Sequence, residues 1–185
     1  GQALSFEDDG PSIVVADTAA PDALTVDETV LGTDASASFA DNFSSTPTYG
    51  ADGAGTVSSA YALSVKSEDV DSGLVDVASN QAVLLSLNGA VVEGRTAGSD
   101  ALVFTVSVDA GGTVTLDQIR ALKHPLGGAN HDDAVTLSAA DLIRLTRTDT
   151  ITDKDGDTNT GSDFIDIGQA LSFEDDGPSI VVADT

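Results

Sequence analysis

The sequence opens and closes on the same text. Gly1–Thr18 returns letter for letter as Gly168–Thr185. Chance does not produce identity over that length, and a shared fold alone does not preserve every surface residue. A second copy that starts at 168 where the first starts at 1 sets a tandem period of 167 residues. The constraint on folding is direct. A structure must close within one period and hand the chain on inside the duplicated stretch. That stretch reads as a junction: an apolar run (Ala3, Leu4, Phe6), an acidic turn (Glu7-Asp8-Asp9-Gly10-Pro11) and a fresh β-rich run (Ile13, Val14, Val15). Residues 1–9 are expected to be the end of a preceding repeat with its acidic linker, 10–176 a single domain, and 177–185 the start of the next repeat.

Composition narrows the chemistry. Thirty-one acids against seven bases leave a formal charge of −24, which excludes nucleic acid as a partner, since that needs basic patches. Self-repulsion on this scale opposes compaction unless something neutralises it. The acids are bunched with Gly and Asn in turn-like stretches, which favours bound divalent cations over an evenly acidic, salt-adapted surface. The absence of Cys removes disulfides, thiolate metal sites and thiol catalysis together. No run of apolar residues is long enough to cross a membrane as a helix. Aromatics at 4% and no Trp make the expected core aliphatic.

Period-two alternation dominates the chain. Ser12–Asp17, Ala23–Thr29, Val57–Val65, Leu102–Val108 and Ile143–Ile151 all read as strands. Asn88-Gly89 between two β-rich runs predicts a two-residue hairpin, and Asp109–Gly112 a second one. Gly32–Gly55 lacks periodicity and reads as irregular, anchored by Phe39, Phe43 and Tyr49; Glu68–Asp76 reads as an acidic turn. Leu116–Leu122 has helical spacing and Ser138–Leu142 suits a helical turn, while Phe164–Phe173 reads as one final strand. Many short strands with at most two short helices predict an all-β sandwich.

The sharpest motif is Thr152-Asp153-Lys154-Asp155-Gly156-Asp157. Alternate Asp residues around a Gly direct hard oxygens at one point, as calcium requires. It is similar to the first half of an EF-hand loop, but Phe164 stands where the bidentate Glu would be, so the site needs completion from elsewhere. A second cluster is the junction, Glu7, Asp8 and Asp9, with its copy Glu174, Asp175 and Asp176. Greek-key order would place Asp153, Asp155 and Asp157 beside the linker that precedes their own domain. Asp27 with Glu28, and Asp69 and Asp71 with Glu68, are further calcium candidates of less specific spacing. Each of these acidic stretches could equally be a solvated turn. His124 and His131 could serve zinc or acid–base chemistry, but a lone loop histidine is ordinarily solvent-exposed or a structural hydrogen bonder. No catalytic motif is found, so the expectation is no enzyme.

Phe6–Pro11, Val26–Thr29, Tyr49–Gly53, Val114–Gln118 and Thr152–Asp157 resemble repeats of giant RTX-type adhesins of Gram-negative bacteria. The Phe-Glu-Asp-Asp-Gly-Pro and Thr-Asp-x-Asp-Gly-Asp blocks are the most specific part, and the resemblance spans essentially the whole period. It implies Ig-like extender domains of Greek-key topology with long loops, stiffened by calcium at and near their linkers. It further implies type I secretion, a place on the cell surface, and projection of an adhesive region in biofilm formation. Lys154 within the acidic loop departs from the pattern and weakens that site unless its ammonium swings outward. The expected partners are neighbouring identical repeats, with no nucleic acid, no membrane insertion and a monomeric state. The alternative is a module of such an adhesin that itself binds carbohydrate or a surface.

Overall fold

The computed structural model describes residues 9–126 and 132–176. Its first strands are β1 (Ser12–Asp17), β2 (Leu24–Asp27), β3 (Ala35–Ser38), β4 (Phe43–Thr48) and β5 (Thr56–Val65). A run of hairpins follows: β6 (Val70–Val75), β7 (Ala82–Asn88), β8 (Val91–Thr96), β9 (Leu102–Val108) and β10 (Thr113–Gln118). The chain ends in β11 (Ala134–Thr136), β12 (Ile143–Thr152), β13 (Thr158–Asp166) and β14 (Leu171–Glu174). This is an all-β sandwich, as the alternation predicts.

One layer is a six-stranded antiparallel sheet in the order β3-β10-β9-β8-β7-β6. The opposing side is built from β13-β12-β5, with the β1-β4 pair alongside β13. The chain leaves β5 for the six-stranded layer and later returns to lay β12 beside it, in register from Ile143 opposite Val65 to Thr152 opposite Thr56. That long-range return closes the two layers on each other. A third small sheet, β11-β14-β2, caps one end, and in it β14 runs parallel to β2.

The core is one continuous cluster fed by nearly every strand. Alternation supplies it: Val114 and Leu116 of β10 are buried between outward Thr113, Thr115 and Asp117. Its aliphatic mass surrounds three fully enclosed rings, Phe39, Phe104 and Phe173. Phe104 and Phe173 pack with centroids 5.0 Å apart, and this contact fastens the six-stranded layer to the capping sheet. Burial of an aromatic side chain of this size is worth roughly 1.5–3 kcal/mol.

Several local expectations are corrected. Leu116–Leu122 is not a helix: β10 continues to Gln118, and the N–H groups of Ile119 and Arg120 both donate to the Val103 carbonyl. Helical spacing put Leu116, Ile119 and Leu122 on one face, but Ile119 is exposed. Ser138–Leu142 forms bends and turns rather than a helical turn. Helical backbone among the described residues is confined to 3-10 turns at Glu28–Val30, Ala40–Asn42 and Gly168–Ala170. Residues 32–55, read as irregular, hold β3 and β4, and residues 68–76 hold β6. The stretch from Phe164 to Phe173 is two strands separated by the last 3-10 turn. The first hairpin forms where expected but turns one residue later. Asn88 pairs with Val91, which leaves Gly89 and Ala90 at the turn, and Gly89 has φ 64°.

Candidate metal centres

The loop between β12 and β13 is wound around one carboxylate. Asp153 Oδ1 accepts the N–H groups of Gly156 at 3.0 Å and Asp157 at 2.8 Å, and the Asp153 N–H donates to the Asp157 carbonyl at 3.0 Å. Gly156, at φ 109°, permits that return. Asp153 is 4% exposed, and its second oxygen, Oδ2, is buried and meets no N–H or alcohol donor among the described residues. An ionised carboxylate oxygen in that position is costly unless a cation meets it.

Two further carboxylates lie beside this side chain. Asp52, Asp153 and Asp155 each present an oxygen, all within 4.8 Å of one another. Asp52 arrives because the Asp52–Gly55 turn abuts the β12 end: a Cβ on Gly55 would stand 2.1 Å from the Thr152 carbonyl oxygen and 2.7 Å from Asp153. The pair Asp153 and Asp155 titrates apart. The hydrogen bond to Asp153, then burial and the Asp153 charge, raise Asp155 above the usual carboxylate range. Burial pushes Asp153 upward, but the hydrogen bond from Asp155 and those from the loop backbone outweigh it and hold the group low. Two adjacent carboxylates that disfavour each other's charge in this way are what a divalent cation would neutralise together.

The entry linker reaches the same pole. A Cβ on Gly50 would lie 2.5 Å from the Asp9 carbonyl oxygen and 3.1 Å from Asp9 Oδ2. Asn159, the second residue of β13, donates to the Pro11 carbonyl at 3.0 Å. The geometry therefore sets Asp9 and the Asp153 loop at one end of the domain. Glu7 and Asp8 lie outside the described residues.

The remaining acids divide by role. Asp157 contributes backbone to the Asp153 loop and does not join the three-carboxylate cluster. Lys154 is exposed, outside that cluster. Asp27 Oδ1 accepts the Thr29 N–H at 2.8 Å and caps the first 3-10 turn; hydrogen bonds from Thr29 lower its pKa. Asp71 Oδ1 accepts the Gly73 N–H and Asp69 Oδ1 accepts the Ser86 hydroxyl, so each closes a local turn or strand contact. Neither joins a cluster of three metal-ligating groups among the described residues. Asp176 is exposed and Glu174 sits opposite Asp27 in the parallel pair.

A second constellation lies at the capping sheet. Glu28, His124 and Asp175 each offer one ligand atom within 4.8 Å of the others. Glu28 is buried, and its Oε1 accepts from Leu122 N–H at 2.7 Å and Gln118 Nε2 at 2.8 Å. Sequence reasoning nominated Glu28 and Asp175 separately and did not join them. It leaves Asp52 out of the calcium set, although Asp52 lies in the Tyr49–Gly53 block that carries part of the family resemblance.

The fold and its acid clusters define a β-sandwich module with two groups of convergent candidate ligands. Residues 23–168 match the model of a family described as Domain of unknown function (DUF5801), and the chain belongs to that family. No curated protein and no solved structure matches the chain.

Proposed function

We propose that this domain is a non-catalytic, calcium-stiffened extender module of a repetitive bacterial surface adhesin. In this reading it projects an adhesive region away from the cell. The observation that carries it is the convergence of Asp52, Asp153 and Asp155 at the pole where Asp9 enters, with Asp153 Oδ2 buried and without an N–H or alcohol donor among the described residues. Calcium takes six to eight oxygens at about 2.3–2.6 Å, and carboxylates, backbone carbonyls and water can supply them. An ion at that pole would neutralise a like-charge cluster and fix the linker to the domain it precedes.

The exact repeat supports the array. Asp175 and Asp176 hold the places of Asp8 and Asp9 in the duplicated text. In a tandem array one linker would thus turn one acid toward the Glu28 end of the preceding repeat and the next acid toward the Gly50 turn of the following one. A chain of charge −24 would resist compaction without cations, as passage through a secretion channel requires, and would fold where calcium is plentiful. The test is small-angle scattering of two consecutive repeats in calcium and in chelator. The proposal expects a longer, stiffer particle with calcium; equal length and equal thermal stability in both would sink it.

A further inference from the structure

We propose that Glu28, His124 and Asp175 form a second metal site, for a borderline transition ion of the zinc class rather than calcium. The donor set sets it apart from the Asp52, Asp153 and Asp155 cluster. An imidazole nitrogen with two carboxylates suits zinc and its neighbours, whereas calcium prefers oxygen throughout. The proposal stands independently of the calcium reading, because the two sites share no residue.

The ligands come from three separate segments: the 3-10 turn after β2, the loop after β10 and the segment leaving β14. The parallel pairing of β14 with β2 brings Asp175 to Glu28, and the His124 loop closes over them.

His124 is the independent observation. Its side chain is 1% exposed, yet its two nitrogens make a single loose contact between them. Nε2 stands 3.3 Å from Glu28 Oε1, while Nδ1 is buried with no partner among the described residues. Enclosed side chains ordinarily have their polar atoms engaged, and a neutral imidazole held so loosely can take an ion at Nε2, the nitrogen that stands beside Glu28. The 3.3 Å separation is long for a hydrogen bond. It suits two ligand atoms on one tetrahedral ion, which stand roughly 3.4 Å apart when each bond is about 2.0–2.2 Å.

The surroundings hold the carboxylate ready. Leu122 N–H and Gln118 Nε2 both donate to Glu28 Oε1, fixing it without neutralising its charge. Gln118 Nε2 also donates to the Arg120 carbonyl, and its Oε1 is a further buried acceptor without a partner among the described residues. An ion here would bind the exit segment of the domain to the loop that follows β10.

The experiment titrates zinc into the full chain against a chromogenic chelator, with cobalt as a spectroscopic substitute. One zinc per chain is expected, with millimolar calcium unable to displace it. His124→Ala should weaken binding about 100-fold or more and abolish the tetrahedral cobalt spectrum, while Asp153→Asn leaves both unchanged. Should His124→Ala fail to fold, imidazole NMR of the unaltered protein decides, with His131→Ala assigning the two histidines. Zinc is expected to shift the His124 ring signals. Absence of stoichiometric binding, unaltered binding in folded His124→Ala, loss of binding in Asp153→Asn alone, displacement by calcium, or shifts confined to His131 would each overturn the proposal.

Discussion

Glu174 stands opposite Asp27 in the parallel pairing of β14 with β2, and that register delivers Asp175 and Glu28, the next residue on each side, to one cluster. Parallel pairing is what makes this possible. An antiparallel β14 would send Asp175 past the other end of β2. The exit of the domain is thus chemically tied to its second strand, while its entry, through Asp9, meets the Gly50 turn near the Asp153 loop. Ion binding at either place would act on how the entering or leaving chain is held to the domain.

Calcium should stabilise the domain through the Asp52, Asp153 and Asp155 cluster. Extracellular modules bind with Kd of about 10⁻⁴–10⁻³ M. At tenfold excess over Kd the gain is about 1.4 kcal/mol, or about 4 °C in Tm for a chain of this size. Asp153→Asn should abolish the rise in a thermal scan, because it removes the charge from the oxygen that lacks a partner.

Asp155→Asn should separate the metal from the fold. Asp155 is raised by its hydrogen bond to Asp153, so the folded, metal-free domain holds that proton more tightly than the unfolded chain does. Its contribution to stability is therefore present on the acid side and lost as pH rises through the raised folded value. At neutral pH the metal-free variant should melt no lower than the parent, and its calcium response should be lost. Paired melts with calcium and with chelator check both signs.

Asp76 and Arg120 should govern acid stability. Asp76 has no exposed side-chain surface and takes a bidentate grip from Arg120 at 2.8 and 3.1 Å, with Ser79 donating as well. The Arg120 hydrogen bond leads in lowering its pKa from 3.8 to about 2 against the opposing effect of burial. A depressed carboxylate contributes stability above its unfolded value and loses it as pH falls through the folded one. Urea midpoints should therefore fall between pH 3.8 and about 2. Arg120→Ala should cost about 3 kcal/mol near neutrality, by leaving a buried charge unpaired, and should flatten that acid slope.

Gly94 and Gly89 should respond to Ala for different reasons. A Cβ on Gly94 would meet the Phe104 ring at 2.3 Å, and that ring is enclosed against Phe173. Gly94→Ala should cost about 1–3 kcal/mol through overpacking. Gly89 has open space around it but φ 64°, so Gly89→Ala should cost about 1 kcal/mol through backbone strain alone. Denaturant midpoints check the order.

The strands were legible wherever large side chains alternate. β1 begins and ends where the pattern of Ser12–Asp17 puts it, and β5, β9 and β12 fall within one residue of their expected bounds. β3 was hidden because its text, Ala-Ser-Ala-Ser, offers no bulky residue to mark a face. β6 was hidden by Asp71 and Gly73, which read as a turn; Asp71 does close a local turn there, but inside the strand. At the candidate sites, spacing along the chain found Asp153 and Asp155. It could not find Asp52, about a hundred residues away and brought to them by the pairing of β5 with β12 and the packing of Gly55 on the end of β12. For His124 the sequence offers zinc or acid–base chemistry but not its partners, because Glu28 and Asp175 lie just beyond strand ends remote in sequence.

Salt should distinguish bound ions from general screening. At charge −24, self-repulsion weakens as ionic strength rises, whatever the ion. Monovalent salt should therefore raise the melting temperature of every variant by a similar gradual amount. Calcium should act differently, with a saturable rise at millimolar concentrations superimposed on the screening curve and absent in Asp153→Asn. Magnesium should give less, because it holds its water and demands octahedral geometry that a loop of this kind does not provide. Melts of the parent and Asp153→Asn in sodium, magnesium and calcium chloride at matched ionic strength separate these cases. Superposition of the parent's three curves would reduce the acidic clusters to a screened surface and leave the Asp153 oxygen without an ion.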